Sequence, residues 1–259
     1  MTPIIETHGL CKDYPHFEAL QALDLEVPEG SVFALLGASG AGKTTTIKIL
    51  LNMIAASRGS ATIMGVDSRS LGPESLAKIG YVSENQVLPA RLRVEDFFDY
   101  LRPCYAQWDR ALEQDLRTQL NLPPRRRIGE LSHGMRLKMG LACALPFRPK
   151  LLVLDEPLSG LDALARDEII GGFLRAFGEM TVLISSHELD EVGRFATHVA
   201  FLHEGKLLFQ GSAVALAAHA RPLLAAEGGA TEGRPLRDIF VAMVRAARHN
   251  AGNRSDDQL

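Results

Sequence analysis

The run Gly37-Ala38-Ser39-Gly40-Ala41-Gly42-Lys43-Thr44-Thr45 fits the pattern G-x-x-x-x-G-K-[ST], whose chemistry is the binding of phosphate. Glycines let the backbone approach an anion with no side chain in the way, the loop N–H groups point inward, and a helix N-terminus adds a favourable dipole. On that reading Lys43 reaches the β- and γ-phosphates, the Thr44 hydroxyl binds Mg²⁺, and Thr45 reaches the α-phosphate. Average composition gives a chain of this length about one chance match in a hundred, so the flanks must decide. A second group that could do chemistry is Asp155-Glu156, which closes the apolar run Leu151 to Leu154. A carboxylate at the C-terminal edge of a buried strand can reach Mg²⁺ beside a phosphate loop, which makes Asp155 the metal-side acid. Glu156, one residue on, is placed to polarise an attacking water as general base.

These side chains need a scaffold, and the hydrophobic pattern supplies one. Ser31 to Leu36 is a short apolar run suited to a buried strand, and Lys43 to Leu51 carries apolar residues at helical spacing. The glycine loop therefore joins a strand to a helix. Strands are also expected at Ile4–Thr7, Leu23–Val27, Gly59–Gly65 with its turn, and Ile79–Val82, with a turn at Pro28-Glu29-Gly30. From Leu92 to about Phe147 the pattern becomes helical: Val94, Phe97, Phe98 and Leu101 share one face, and Leu112, Leu116 and Leu120 recur every four residues. Pro123-Pro124 interrupts this region, and a further helix runs from His133 to just before Pro146. Strand Leu151–Leu154, helix Ala163–Phe177, strand Thr181–Ile184 and strand Val199–Leu202 follow. Alternating strands and helices predict a parallel-sheet α/β core. An alanine-rich helix should run from Ser212 toward His219, then a linker from Glu227 to Pro235, a helix from Pro235 to Arg248, and a polar, frayed end from His249.

Composition narrows the class. A chain of 259 residues that is 46% hydrophobic can fill a core, and its net charge of −3 gives no electrostatic reason to expect nucleic-acid binding. The basic run Arg125-Arg126-Arg127 reads as a solvated loop. Cys11, Cys104 and Cys143 are few, scattered and odd in number, which supports neither a disulfide framework nor a zinc motif and fits a reducing compartment. No apolar run approaches the roughly 20 residues that span a bilayer, so a role at the membrane requires a partner chain.

Further motifs stand in a fixed order around the first two. Leu131-Ser132-His133-Gly134-Met135 precedes the acid pair, while Ser159-Gly160-Leu161-Asp162 and Ser185-Ser186-His187 follow it, and Tyr14 lies upstream of the glycine loop. From Tyr14 to His187 the six motifs resemble those of the ATP-binding-cassette family. The resemblance implies an α/β fold of the ABC type of P-loop NTPase: a RecA-like core, an antiparallel β subdomain and a helical subdomain. It implies an ATP-binding core at residues 1–87 and 148–217, a helical signature subdomain at 88–147, and a C-terminal tail at 218–259 with a linker and a short helix. It also implies ATP and Mg²⁺ as cofactors, Tyr14 stacked on adenine, His187 as the switch histidine, and Asp162 in the D-loop. Ser132 and Gly134 would contact the γ-phosphate held by a second subunit, identical or related, so that hydrolysis needs a dimer.

Two positions depart from the family's commonest form. Glu84 stands where most members carry a glutamine that joins Mg²⁺, with Gln86 two residues away as the alternative; a carboxylate remains a good ligand for that cation. His133 and Met135 alter the signature but leave its serine and second glycine. These features, with Trp108 and the stretch Gly160 to Asp167, resemble a bacterial export-type subset paired with separate permeases. The implied protein is a transporter's ATP-hydrolysing subunit, peripheral on the cytoplasmic face of the inner (cell) membrane. The other reading is a soluble cassette ATPase acting on nucleic acid or ribosomes, which usually carries a coiled coil, a zinc module or a second cassette absent here. A cassette that binds ATP without using it would lack some of Lys43, Asp155, Glu156 and His187, and all four are present.

Overall fold

The computed structural model describes residues 3–161, 166, 170, 180–226 and 235–256. They fall into two compact units, one built from the chain up to Arg69 and from Ser185 onward, the other from Ser70 to Ile184.

In the first unit, β1 (Pro3–Tyr14), β2 (Phe17–Leu23), β5 (Arg58–Ile63) and β6 (Val66–Asp67) form an antiparallel sheet in the order β2-β1-β5-β6, with β3 (Glu26–Pro28) also paired to β1. The strand expected at Leu23–Val27 is broken at Asp24-Leu25. Side chains compete with the ladder there: the Gly9 N–H donates to the Asp24 carboxylate at 2.6 Å, and the Leu25 N–H donates to Thr7 Oγ1 at 2.8 Å. Beside this sheet, β4 (Val32–Leu36) pairs in parallel with β10 (His198–His203), which turns through Glu204-Gly205 into antiparallel β11 (Lys206–Ser212). Helix α1 (Lys43–Leu50) follows the glycine loop.

The C-terminal helices are longer than the sequence pattern suggests. The alanine-rich helix, Ala213–Ala226, passes Pro222 because Leu216, Ala220 and Leu224, at i, i+4 and i+8, are all buried and hold it on the sheet. The last helix, Leu236–Asp256, runs past Arg248 and buries Ile239, Phe240 and Met243; the Phe240 ring lies 5.5 Å from that of Phe201 in β10. The expected linker at 227–234 lies outside the described residues, as does helix 163–177 apart from Arg166 and Ile170, which are helical.

In the second unit, β7 (Ile79–Ser83) and β8 (Leu151–Asp155) pair in parallel with no register break, and β9 (Thr181–Ser186) lies beside β8. Every residue of β8 and β9 is buried, as parallel strands covered on both faces require. After the short α2 (Pro73–Leu76) come α3 (Val94–Leu101), α4 (Arg110–Gln119) and α5 (His133–Ala144), where the helical pattern placed them. Gly80 lets α5 approach β7, since a Cβ there would stand 3.1 Å from the Ala144 carbonyl oxygen and 2.8 Å from Leu152 Cδ1. The helices at 189–193, 213–226 and 236–256 are α6, α7 and α8.

A buried ion cluster ties this helical region together. The Glu113 side chain, 3% exposed, accepts two hydrogen bonds from Arg102, each 2.7 Å, one from Arg117 at 3.1 Å and one from Trp108 Nε1 at 2.9 Å. Burial alone would raise the Glu113 pKa, but the Arg102, Trp108 and Arg117 hydrogen bonds outweigh it and leave the carboxyl below its ordinary value of 4.5. Trp108 is thus a packing and hydrogen-bonding residue. Because the folded value is the lower one, Glu113 stabilises the fold fully above pH 4.5 and loses that contribution as pH falls through the lowered value. Glu113→Ala is expected to cost roughly 3 kcal/mol by taking the buried acid from Arg117 and leaving Arg102 only its exposed partner Asp99. Urea melts at neutral pH check the size, and melts from pH 6 downward should show a shallower acid-side loss in Glu113→Gln.

Candidate functional site

Within the first unit the glycine loop leaves β4 at Gly37 and enters α1 at Lys43. The Gly37 N–H donates to the Ser186 carbonyl at 3.3 Å, and a Cβ at Gly37 would collide with the Leu202 carbonyl oxygen. Gly42 caps α1 at φ 107°, a conformation that disfavours side chains, and a Cβ there would lie 2.7 Å from the Ala19 carbonyl oxygen. No side chain caps the first turn of α1. Ala38, Ser39 and Gly40 form the exposed crest, whereas Lys43 is 4% exposed and its ammonium donates to the Gly37 and Ala38 carbonyls at 2.7 and 3.1 Å. The loop thus wraps a buried cation at the start of a helix, an arrangement that can hold an anion.

Ala38 and Ser39 share a cleft of about 490 Å³ with His187 and with Arg237, Phe240 and Val241 of α8. His187 follows β9 directly and is exposed. Tyr14 sits at the tip of the β1–β2 hairpin, stacked on Phe17 at 5.1 Å, with the Lys12 ammonium 5.1 Å from its ring centre.

Within the second unit, three acids gather at the C-terminal ends of two neighbouring parallel strands. Asp155, 5% exposed, is the last residue of β8; Glu84 follows β7, and its N–H donates to the Asp155 carbonyl at 3.0 Å. Glu156 holds φ 52°, a left-handed conformation that costs a non-glycine residue about 1 to 2 kcal/mol. Gln86 lies elsewhere: its Oε1 is 3.1 Å from where a Cβ of Gly140 would stand, against α5. Ser132 caps α5 by accepting from the Met135 N–H at 3.2 Å, and Gly134 lies in its first turn. Asp162 lies outside the described residues.

Ser159, which opens the motif Ser159 to Asp162, joins this cluster through bonds that no local pattern foretells. Its hydroxyl donates to Glu84 Oε1 at 3.0 Å, and its carbonyl accepts from His133 Nε2 at 3.2 Å. Separations of 75 and 26 residues leave no local pattern to find.

A phosphate loop between strand and helix, with acids ending the parallel strands, defines a P-loop nucleotide hydrolase. Among solved structures, the ATP-binding subunit of an ABC transporter shares the fold with a TM-score of 0.80 at 24% identity, over 93% of this chain and 99% of that one. A family model described as ABC transporter matches residues 20–159. A bacitracin transport ATP-binding protein of Bacillus licheniformis is 34% identical over 212 residues, 80% of this chain and 69% of the relative. A lantibiotic transport ATP-binding protein of Streptococcus pyogenes is 33% identical over 211 residues, 80% of this chain and 90% of the relative. The chain belongs to the ABC transporter family, as an ATP-binding ATPase subunit. Among the described residues no helix is long and apolar enough to cross a membrane.

Proposed function

We propose that this chain drives export of a small molecule or peptide through a separate permease, by closing on ATP as a dimer and reopening after hydrolysis. The observation that carries this reading is the acid cluster: Asp155 buried at the end of β8, Glu84 bonded to it through the backbone, and Glu156 held in a strained turn one residue on. Lys43 and the N–H groups of Gly37 to Thr45 hold the phosphates, Tyr14 stacks on adenine, and His187 meets the γ-phosphate. Asp155 and Glu84 offer two carboxylates, hard-oxygen ligands that fit Mg²⁺, and the Thr44 hydroxyl is another oxygen of that kind. Bound there, the ion would neutralise charge on the β- and γ-phosphate oxygens. The position of Glu84 beside Asp155, and of Gln86 against α5, favours Glu84 as the ligand.

Glu156 accepts a proton from the attacking water as the water oxygen bonds to the γ-phosphorus, the bond from that phosphorus to the β–γ bridging oxygen breaks, and ADP leaves with the electron pair. Ser132 and Gly134, at the start of α5, close on the γ-phosphate bound to the other subunit, using a helix N-terminus as an anion clamp. Asp162 completes the nucleotide-binding set. In functional terms the ATP core comprises 1–87 and 148–217, the helical signature part 88–147, and the tail 218–259.

A cleft of about 200 Å³ in the second unit, lined by Tyr81, Gln86, Leu88, Phe97, Tyr105 and Phe147, would receive part of a short cytoplasmic helix of the permease. On this reading the chain is peripheral, on the cytoplasmic face of the cell membrane. Similarity to bacitracin and lantibiotic transport proteins points to export of a related class of compound. Purification of the tagged full chain in mild detergent is expected to bring down an integral-membrane protein in stable ratio. Recovery with ribosomes or nucleic acid alone would overturn the reading in favour of a soluble ATPase.

A further inference from the structure

Glu84 and His133, the two departures from the commonest cassette pattern, meet on one residue. Ser159 Oγ donates to the Glu84 carboxylate at 3.0 Å, and the Ser159 carbonyl accepts from His133 Nε2 at 3.2 Å, a bond that requires the proton on Nε2. Ser159 is itself fixed, since its N–H donates to the Glu156 carbonyl at 3.2 Å and the next residue, Gly160, turns away at φ 67°. One residue therefore ties the end of β7, the residue after β8 and the first residue of α5. Hydrogen bonds weaken steeply once stretched beyond about 3.5 Å. Glu84 and the N-terminus of α5 thus cannot shift independently without losing one of these bonds.

We propose that Ser159 is a positioning residue that locks Glu84 and the signature end of α5 into one arrangement, so that the acid beside Asp155 and the anion clamp at Ser132 and Gly134 engage nucleotide together. The proposal rests on the functional reading above. It needs no contact between Ser159 and nucleotide. The hydroxyl acts on Glu84 and the carbonyl acts on His133, so the two bonds can be removed separately.

The test uses the purified full chain and Mg-ATP. Ser159→Ala is expected to lower kcat about tenfold, as for a lost hydrogen bond to a carboxylate, while KM for ATP moves less than about twofold. Adding Ser159→Ala to Glu84→Ala should cost less than about a further twofold, because both remove the same bond. His133→Ala should lower kcat as well. His133→Gln, whose amide nitrogen can stand where Nε2 stands, should recover most of it.

Wild-type kcat in Ser159→Ala, independent multiplying effects of Ser159→Ala and Glu84→Ala, or equal impairment by His133→Ala and His133→Gln overturns the proposal. If Ser159→Ala does not fold, the His133 pair decides alone. A wild-type chain that fails to hydrolyse ATP sinks the functional reading, whereas an active wild type with a silent Ser159→Ala sinks this inference only.

Discussion

Glu156→Gln is expected to lower steady-state ATP hydrolysis about a thousandfold, the middle of the range for a lost general base, with ATP binding and ATP-driven dimerisation retained. The amide matches the carboxylate in size and can still orient a water, but it cannot take the proton. Asp155 and Glu84 keep their charges, so nucleotide and metal binding should survive. Closed dimers should therefore accumulate, and size-exclusion chromatography with light scattering would show them. The strained backbone gives an independent handle. Glu156→Gly should abolish turnover equally yet leave the fold as stable or slightly more so, because relief of the left-handed cost of about 1 to 2 kcal/mol outweighs the added chain entropy of about 0.5 to 1 kcal/mol. Undiminished phosphate release by Glu156→Gln would remove the general-base assignment. A marked fall in thermal midpoint for Glu156→Gly would remove the argument from strain.

What could be read from the chain beforehand follows from how local each signal is. β4, the glycine loop and α1 are contiguous, and each is dictated by neighbours within a few residues: buried apolar run, glycines where side chains would collide, then helical spacing. The strand ending in Asp155 is legible for the same reason. The break at Asp24-Leu25 is not, because it depends on Thr7 and Gly9 reaching across from β1. α7 runs past His219 and through Pro222, a residue that disfavours helix interiors, because Leu216, Ala220 and Leu224 are buried on the sheet. β11 has no clean alternation, being half-buried along nearly its whole length. Its one local signal is the Glu204-Gly205 turn, where both residues take positive φ. At the site, the residue types were legible and the bonds among them were not. Glu113 joins Arg102, Trp108 and Arg117, and Ser159 joins Glu84 and His133, through tertiary contacts that no periodicity encodes. The family resemblance marked Glu84 and His133 as unusual, but only the fold shows them on one serine.

Lys43→Ala is expected to weaken ATP binding by about a hundredfold, the product of two charge-assisted hydrogen bonds to phosphate oxygens, and to bring hydrolysis to background. The ammonium now rests on the Gly37 and Ala38 carbonyls, folded over the loop that would receive the phosphates. A phosphate oxygen offers a charged acceptor in place of a neutral one, so the same cation should turn to it without the loop reorganising. Loss of the side chain should cost the unliganded fold little, about 1 kcal/mol, because the crest at Ala38 is exposed and water can replace the ammonium there. The discriminating measurement is thermal. ATP at a hundred times its dissociation constant should stabilise the wild type by about 2.7 kcal/mol, and the same concentration should leave Lys43→Ala almost unmoved. Lys43→Arg separates charge from shape, since a planar guanidinium cannot occupy the 4% exposed site of a compact ammonium, and it should fail nearly as badly. An ATP-induced shift of wild-type size in Lys43→Ala would mean that the phosphates are held elsewhere, and the site built on Gly37 to Thr45 would have to be abandoned.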